Sequence, residues 1–199
     1  MSESNEASLF GSGEEWMMNA CVNVGRDQWW IYSQGYDLAV DVLVEHVATN
    51  RHDLDALVYP IVFSARHSIE LCLKYIHQNC CTLLNQRYEP SNHHDISQLW
   101  LTVKRLVEKA LPDEDYSDFT YIDDIVEAVN LTDKNSFAFR YPVDKKGKKS
   151  LDQNVKHLNI RDFQRRYSKA RETLECIHLA VENFLECSSE IALENHLID

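Results

Sequence analysis

Residues Tyr59–Asn79 read YPIVFSARHSIELCLKYIHQN, and their apolar members Val62, Ala65, Ile69, Cys72, Leu73 and Ile76 recur at helical spacing. At about 100° per residue, Arg66, His67, Glu70, Lys74 and His77 gather on the opposite arc. The stretch predicts an amphipathic helix whose apolar side packs and whose polar side carries titratable groups. Arg66 with Glu70, and Glu70 with Lys74, stand one helical turn apart, where opposite charges pair. Two readings of the polar side follow. One is a solvated face laced by ion pairs of small energetic weight. The other is a chemical surface, on which Arg offers phosphate a planar fork, His exchanges a proton near neutral pH, and Glu orients either.

Working outward, Asp37–Thr49 (DLAVDVLVEHVAT) predicts a preceding helix that starts as early as Asp27. Asp53 is placed to cap the next segment, with Pro60 near the helix start. Downstream, RYEPSNHHD (Arg87–Asp95) brings two imidazoles to the start of a third helix, His94–Ala110, which Pro112 ends. His94 there either caps the helix, faces solvent or moves protons. Asp118–Leu131 predicts a fourth helix. Asn159 and Asp162 imitate a capping box ahead of a final helix that runs through Phe163, Tyr167, Leu174 and Val181 to about Cys187. Between them, residues 137–158 read as a small β-hairpin around a Lys-Gly turn, or as a plain loop. The expected fold is all-α: an antiparallel helical bundle of about five helices, one domain over 15–199 behind a flexible acidic tail, 1–14.

Composition agrees. In 199 residues, 44% are hydrophobic and 26% charged, enough for one core, while 5 Gly and 4 Pro are too few for a turn-rich β-sandwich. No apolar run approaches the ~18 residues of a membrane span, and the N-terminus is acidic and polar, so a cytoplasmic protein with no membrane partner is expected. The six cysteines show no framework spacing and read as free thiols. A net charge of −12 opposes non-specific adhesion to nucleic acid, although Lys145–Lys149 (KKGKK) and Arg161–Arg171 form a local basic run. His77, Cys80, Cys81, His93 and His94 lack the paired spacing of a zinc site. Phosphate-binding Gly loops and nucleophile elbows are absent from the sequence. Trp16, Trp29, Trp30, Tyr32 and Tyr36 read as core or dimer-interface aromatics.

Three stretches, YPIVFSARHSIELCLKYI, HHDISQLW and FAFRYP, together resemble the HEPN superfamily of helical-bundle proteins in its bacterial branch. The resemblance spans Tyr59 to Pro142. It rests on Arg66-His67, on Glu70-Leu71 and Leu73-Lys74, and on His94-Asp95-Ile96 opening the next helix. It implies a metal-independent endoribonuclease or toxin-like effector in defence or RNA processing, working without a cofactor as a homodimer on RNA, with a protein partner drawn from a defence or toxin–antitoxin system. The residues it points to are Arg66, His67, Glu70, Arg87 and His94 for catalysis, and Lys74, His93 and Arg140 for substrate. His would take the 2′-hydroxyl proton or protonate the leaving oxygen while Arg stabilises phosphate charge. The family signature is an Arg, directly followed by Asn, with a His a few residues on. Arg87 before His93 and His94, and Arg171 before His178, meet the spacing, but Tyr88 and Glu172 stand where Asn is usual. That departure keeps a second reading open: Arg66, His67, Glu70 and His94 staple two helices in a non-catalytic dimerisation or partner-binding module.

Overall fold

The computed structural model describes residues 11, 13–23, 25, 28–90 and 94–196. Within them the chain forms five α-helices: α1 (Gln28–Thr49), α2 (Leu54–Leu83), α3 (Ile96–Ala110), α4 (Phe119–Thr132) and α5 (Ile160–His196). Most of the expected N-terminal tail, and His93, lie outside the described residues.

The bundle is built around α2, which packs against α1, α3 and α5, while α4 packs on α5 and α3. Side-chain pairs give the directions. Trp29 meets Lys74, Ser33 meets Ser68 and Tyr36 meets Phe63, so position rises on α1 as it falls on α2 and the two run antiparallel. Trp30 with His178 and Asp37 with Tyr167 set α1 antiparallel to α5 in the same way. The predicted apolar side of α2 is the core: Val62, Ala65, Ile69, Cys72, Leu73 and Ile76 are all buried. Trp100, Val103 and Val107 of α3, Ile122 and Ile125 of α4, and Tyr167, Ala170 and Leu174 of α5 complete it.

Several local expectations are corrected. The second helix begins at Leu54, so Pro60 lies inside it rather than near its start. There it leaves the carbonyl of Ala56 without a helical donor. Asp53 occupies the N-cap position but caps nothing, because its carboxylate is drawn to His46 Nε2 at 2.7 Å and His52 Nε2 at 3.3 Å. The cap of α3 is Asp95, not His94: its Oδ1 accepts from the N–H groups of Ser97 and Gln98. Asn159 does cap α5, accepting from Asp162 N at 3.1 Å. No strand forms among the described residues; the region read as a hairpin keeps one isolated bridge, Val143 with Lys149. Asp144 closes that turn by accepting from Lys146 and Lys148 N–H, and Gly147 takes the positive φ it requires. Two short arms without a sheet to join do not extend into strands.

Arg51–Leu83 is long and apolar enough to cross a bilayer by length and composition, yet 61% of that window is buried inside the bundle. Because Leu73 is fully buried at the centre of this packing, Leu73→Ala should lower the free energy of unfolding by about 2–5 kcal/mol in urea titration. Leu131→Ala, at a residue 81% exposed, should stay within about 0.5 kcal/mol.

Candidate functional site

The polar arc of α2 does not face solvent. Arg66 is 0% and Glu70 1% exposed, because α3 and the connection after α4 close over that side. Neither a solvated ion-pair face nor an open chemical surface describes it. Arg66 Nε donates to the carbonyl of Asp133 at 3.1 Å, Nη1 to Glu70 Oε2 at 3.1 Å, and Nη2 to the carbonyls of Lys134 (3.2 Å) and His94. One guanidinium thus joins α2 to the residue before the cap of α3 and to the C-terminal end of α4, where helix carbonyls lack intrahelical donors. Burial pulls the Arg66 pKa down, and the neighbouring Glu70 and Asp133 carboxylates oppose that pull.

Glu70 is the second node. Its Oε1 accepts from Lys74 Nζ at 2.8 Å and pairs with His94 Nδ1 at 2.9 Å, while Oε2 holds Arg66. Burial by itself would raise this carboxyl; the hydrogen bonds from Lys74 and His94, with their charges, outweigh it and hold the group below its ordinary value. A carboxylate only accepts, so His94 Nδ1 carries a proton, and in the neutral form of the ring Nε2 is the unprotonated nitrogen. The His94 side chain is 55% exposed. An accessible imidazole held in one orientation by a buried carboxylate is the arrangement of a general base or acid.

Around this dyad stands a mixed cationic and aromatic surround. His67 lies edge-on to Tyr36 with ring centroids 4.5 Å apart and stacks on Phe63 at 5.5 Å. Burial lowers its pKa; the Glu70 charge works against this, and those of Lys74, Arg140 and Arg66 reinforce it. Arg140 donates from Nε to the carbonyl of Ser136 and lays its guanidinium over Phe63 and Tyr141 at about 5.5 Å. Lys74 sits over Trp29 at 5.5 Å.

Of the residues singled out in the sequence, Arg66, His67, Glu70, Lys74, His94 and Arg140 therefore converge. Arg66, though, has no route to a ligand. Arg87 is exposed after α2 and makes no hydrogen bond or ion pair among the described residues, so nothing joins it to His94. Arg171 pairs with Asp41 at 2.8 Å and Asp37 at 3.1 Å, and His178 is buried against Trp30, so both help bind α5 to α1. His77 lies farther along α2, edge-on to Tyr88. Among the described residues no three His, Cys, Asp or Glu side chains cluster as metal ligands. Sequence reasoning passed over Asp95 and Asp133. Asp95 bonds Lys134 Nζ at 3.3 Å, and Asp133 Oδ1 accepts from Phe137 and Ala138 N–H, shaping the turn that bears Arg140. The Asp after HisHis, at a helix start, was the available signal for the first.

No protein-family model, characterised protein or solved structure matches this chain.

Removing one member of a buried pair leaves the other charge uncompensated. Glu70→Gln should therefore destabilise the fold by about 3–5 kcal/mol at pH 7 in urea titration. The pH dependence follows from the lowered Glu70 pKa. Its contribution is complete above the ordinary value of 4.5 and is lost as pH falls through the lower folded value. The stability gap between wild type and Glu70→Gln should stay constant from pH 7 to 5 and narrow progressively as pH falls below 4.5.

Proposed function

We propose that this chain is a cytoplasmic, HEPN-like, metal-independent endoribonuclease or toxin-like effector of defence or RNA processing, in which His94 transfers protons and Glu70 positions it. The observation that carries this reading is the exposed His94 ring with Nδ1 on a carboxylate that is itself 1% exposed. Nε2 of His94 takes the proton of an RNA 2′-hydroxyl, that oxygen forms a bond to the adjacent phosphorus as the bond to the 5′-oxygen breaks, and the 5′-oxygen leaves protonated by water while His94 returns its proton to solvent. Arg140 and Lys74 supply the local positive charge that RNA binding by a chain of net −12 requires, and a neutral His67 lines the approach beside them. Arg66 is a positioning residue, fixing the main chain of His94. Arg87 has no part in this reading.

One observation favours the non-catalytic alternative, a dimerisation or partner-binding module. Between Gln28 and Val42 every exposed residue of α1 is uncharged, and Ile31, Tyr32, Leu38 and Val42 are 50–65% exposed. In an acidic chain such a face is where a second copy, or a protein partner from a defence or toxin–antitoxin system, would dock. A homodimer formed there is compatible with both readings.

Purified protein incubated with single-stranded and structured RNA under chelator should cleave it and leave cyclic phosphate ends. His94→Ala, at an exposed position, should keep the fold and lose about 10²–10⁴ in rate, whereas Arg87→Ala should leave the rate unchanged. Absence of cleavage, or cleavage indifferent to His94→Ala, removes the catalytic reading. Sedimentation showing a dimer that Leu38→Glu dissociates would then support the module.

A further inference from the structure

The basic run after Arg140 has no role in the site above, yet it is where the charge of the chain reverses. From Arg140 to Arg161 there are seven Lys and Arg against two Asp, a surplus of five positive charges in a chain of net −12. Several cations elsewhere are held by acids: Arg166 by Asp124, Arg171 by Asp37 and Asp41, Lys104 by Asp123. Lys145, Lys146, Lys148, Lys149 and Lys156 form no ion pair among the described residues. Positive charge left unpaired in acidic surroundings is charge available to a ligand.

This segment lies over two adjoining cavities of about 270 and 460 Å³ that share Tyr59, Phe139 and Leu151. The smaller lies between α2 and α4, which do not pack closely on each other. Its walls are mainly apolar, with Val62, Ile125, Val129 and Leu158 beside the rings of Tyr59, Phe139 and Phe163; Lys156 and His157 also line it, as does Asp162, which pairs with Arg165. Lys149 and Arg140 line the larger. Small-molecule sites combine such an apolar lining with a few convergent polar groups. Arg166 also borders the smaller cavity, but Asp124 occupies its guanidinium.

We infer that this groove binds a soluble, single-chain anionic amphiphile, its aliphatic chain between α2 and α4 and its carboxylate among Lys149, Lys156 and His157. The apolar surface is concave, which suits one chain; a bilayer is met by a protruding apolar face. The inference uses neither His94 nor Glu70, although Arg140 borders both regions.

Calorimetric titration of the full chain with decanoate below its micellar concentration tests it. Decanoate should bind, with butyrate and decan-1-ol about ten-fold weaker or worse, since each lacks one of the two features. Ala128→Phe and Thr132→Phe, two independent ways of filling the smaller cavity, should each abolish binding with circular dichroism and thermal midpoint unchanged. Lys149→Gln with Lys156→Gln should weaken binding about five-fold at low salt and flatten its salt dependence. The inference is overturned by any of four results: no binding of decanoate, binding that survives both cavity-filling variants, association with phosphatidylglycerol vesicles alone, or loss of RNA binding but not of decanoate in the lysine variant.

Discussion

A single enclosed guanidinium holds three parts of this molecule in register. Arg66 emerges from the middle of α2 and spends its donors on the carbonyls of His94, Asp133 and Lys134 and on the carboxylate of Glu70. Those carbonyls belong to the residue before the cap of α3 and to the residues that end α4, backbone positions outside any helical ladder. A charge buried this deeply is tolerable only when acceptors and a counterion surround it. The two connections are therefore compelled to stay where they are, and the side chains they bear stay with them.

Function, on the reading favoured here, is a by-product of that constraint. Glu70 must be ionised to neutralise Arg66, and an ionised carboxylate still has room for Lys74 and His94. The His94 ring is held where its main chain is pinned by Arg66, and it alone of the three partners of Glu70 reaches well into solvent. The same burial that makes the pair costly gives the imidazole a fixed tautomer. Arg140 reaches this neighbourhood because the Asp133 carboxylate shapes the turn after α4.

The acidic surplus of the chain has a structural counterpart. Asp37, Asp41, Asp123 and Asp124 are employed in joining helices through Tyr167, Arg171, Lys104 and Arg166. The lysines of residues 145–156 escape such use because they lie on a connection closed by its own Asp144 and one bridge. These acids tie the bundle together, while Lys149 and Lys156 stay unpaired beside the two cavities.

By itself the sequence determined the helical class, the apolar faces and most helix ends, since these follow from spacing along the chain. Val62, Ala65, Ile69, Cys72, Leu73 and Ile76 form a stripe in the sequence and the same stripe in the core. Spacing also brought Arg66, Glu70 and Lys74 into one row. Only the tertiary structure decided what that row meets, because burial depends on which distant segment lies across it. Carbonyls far along the chain turned Arg66 from a candidate catalyst into a fully enclosed clamp. Arg87 and His94 match in spacing along the chain, and the structure leaves the arginine exposed with no bond to His94. The hairpin failed for a related reason, since alternation can suggest a strand but only a neighbouring strand can hydrogen-bond it into one.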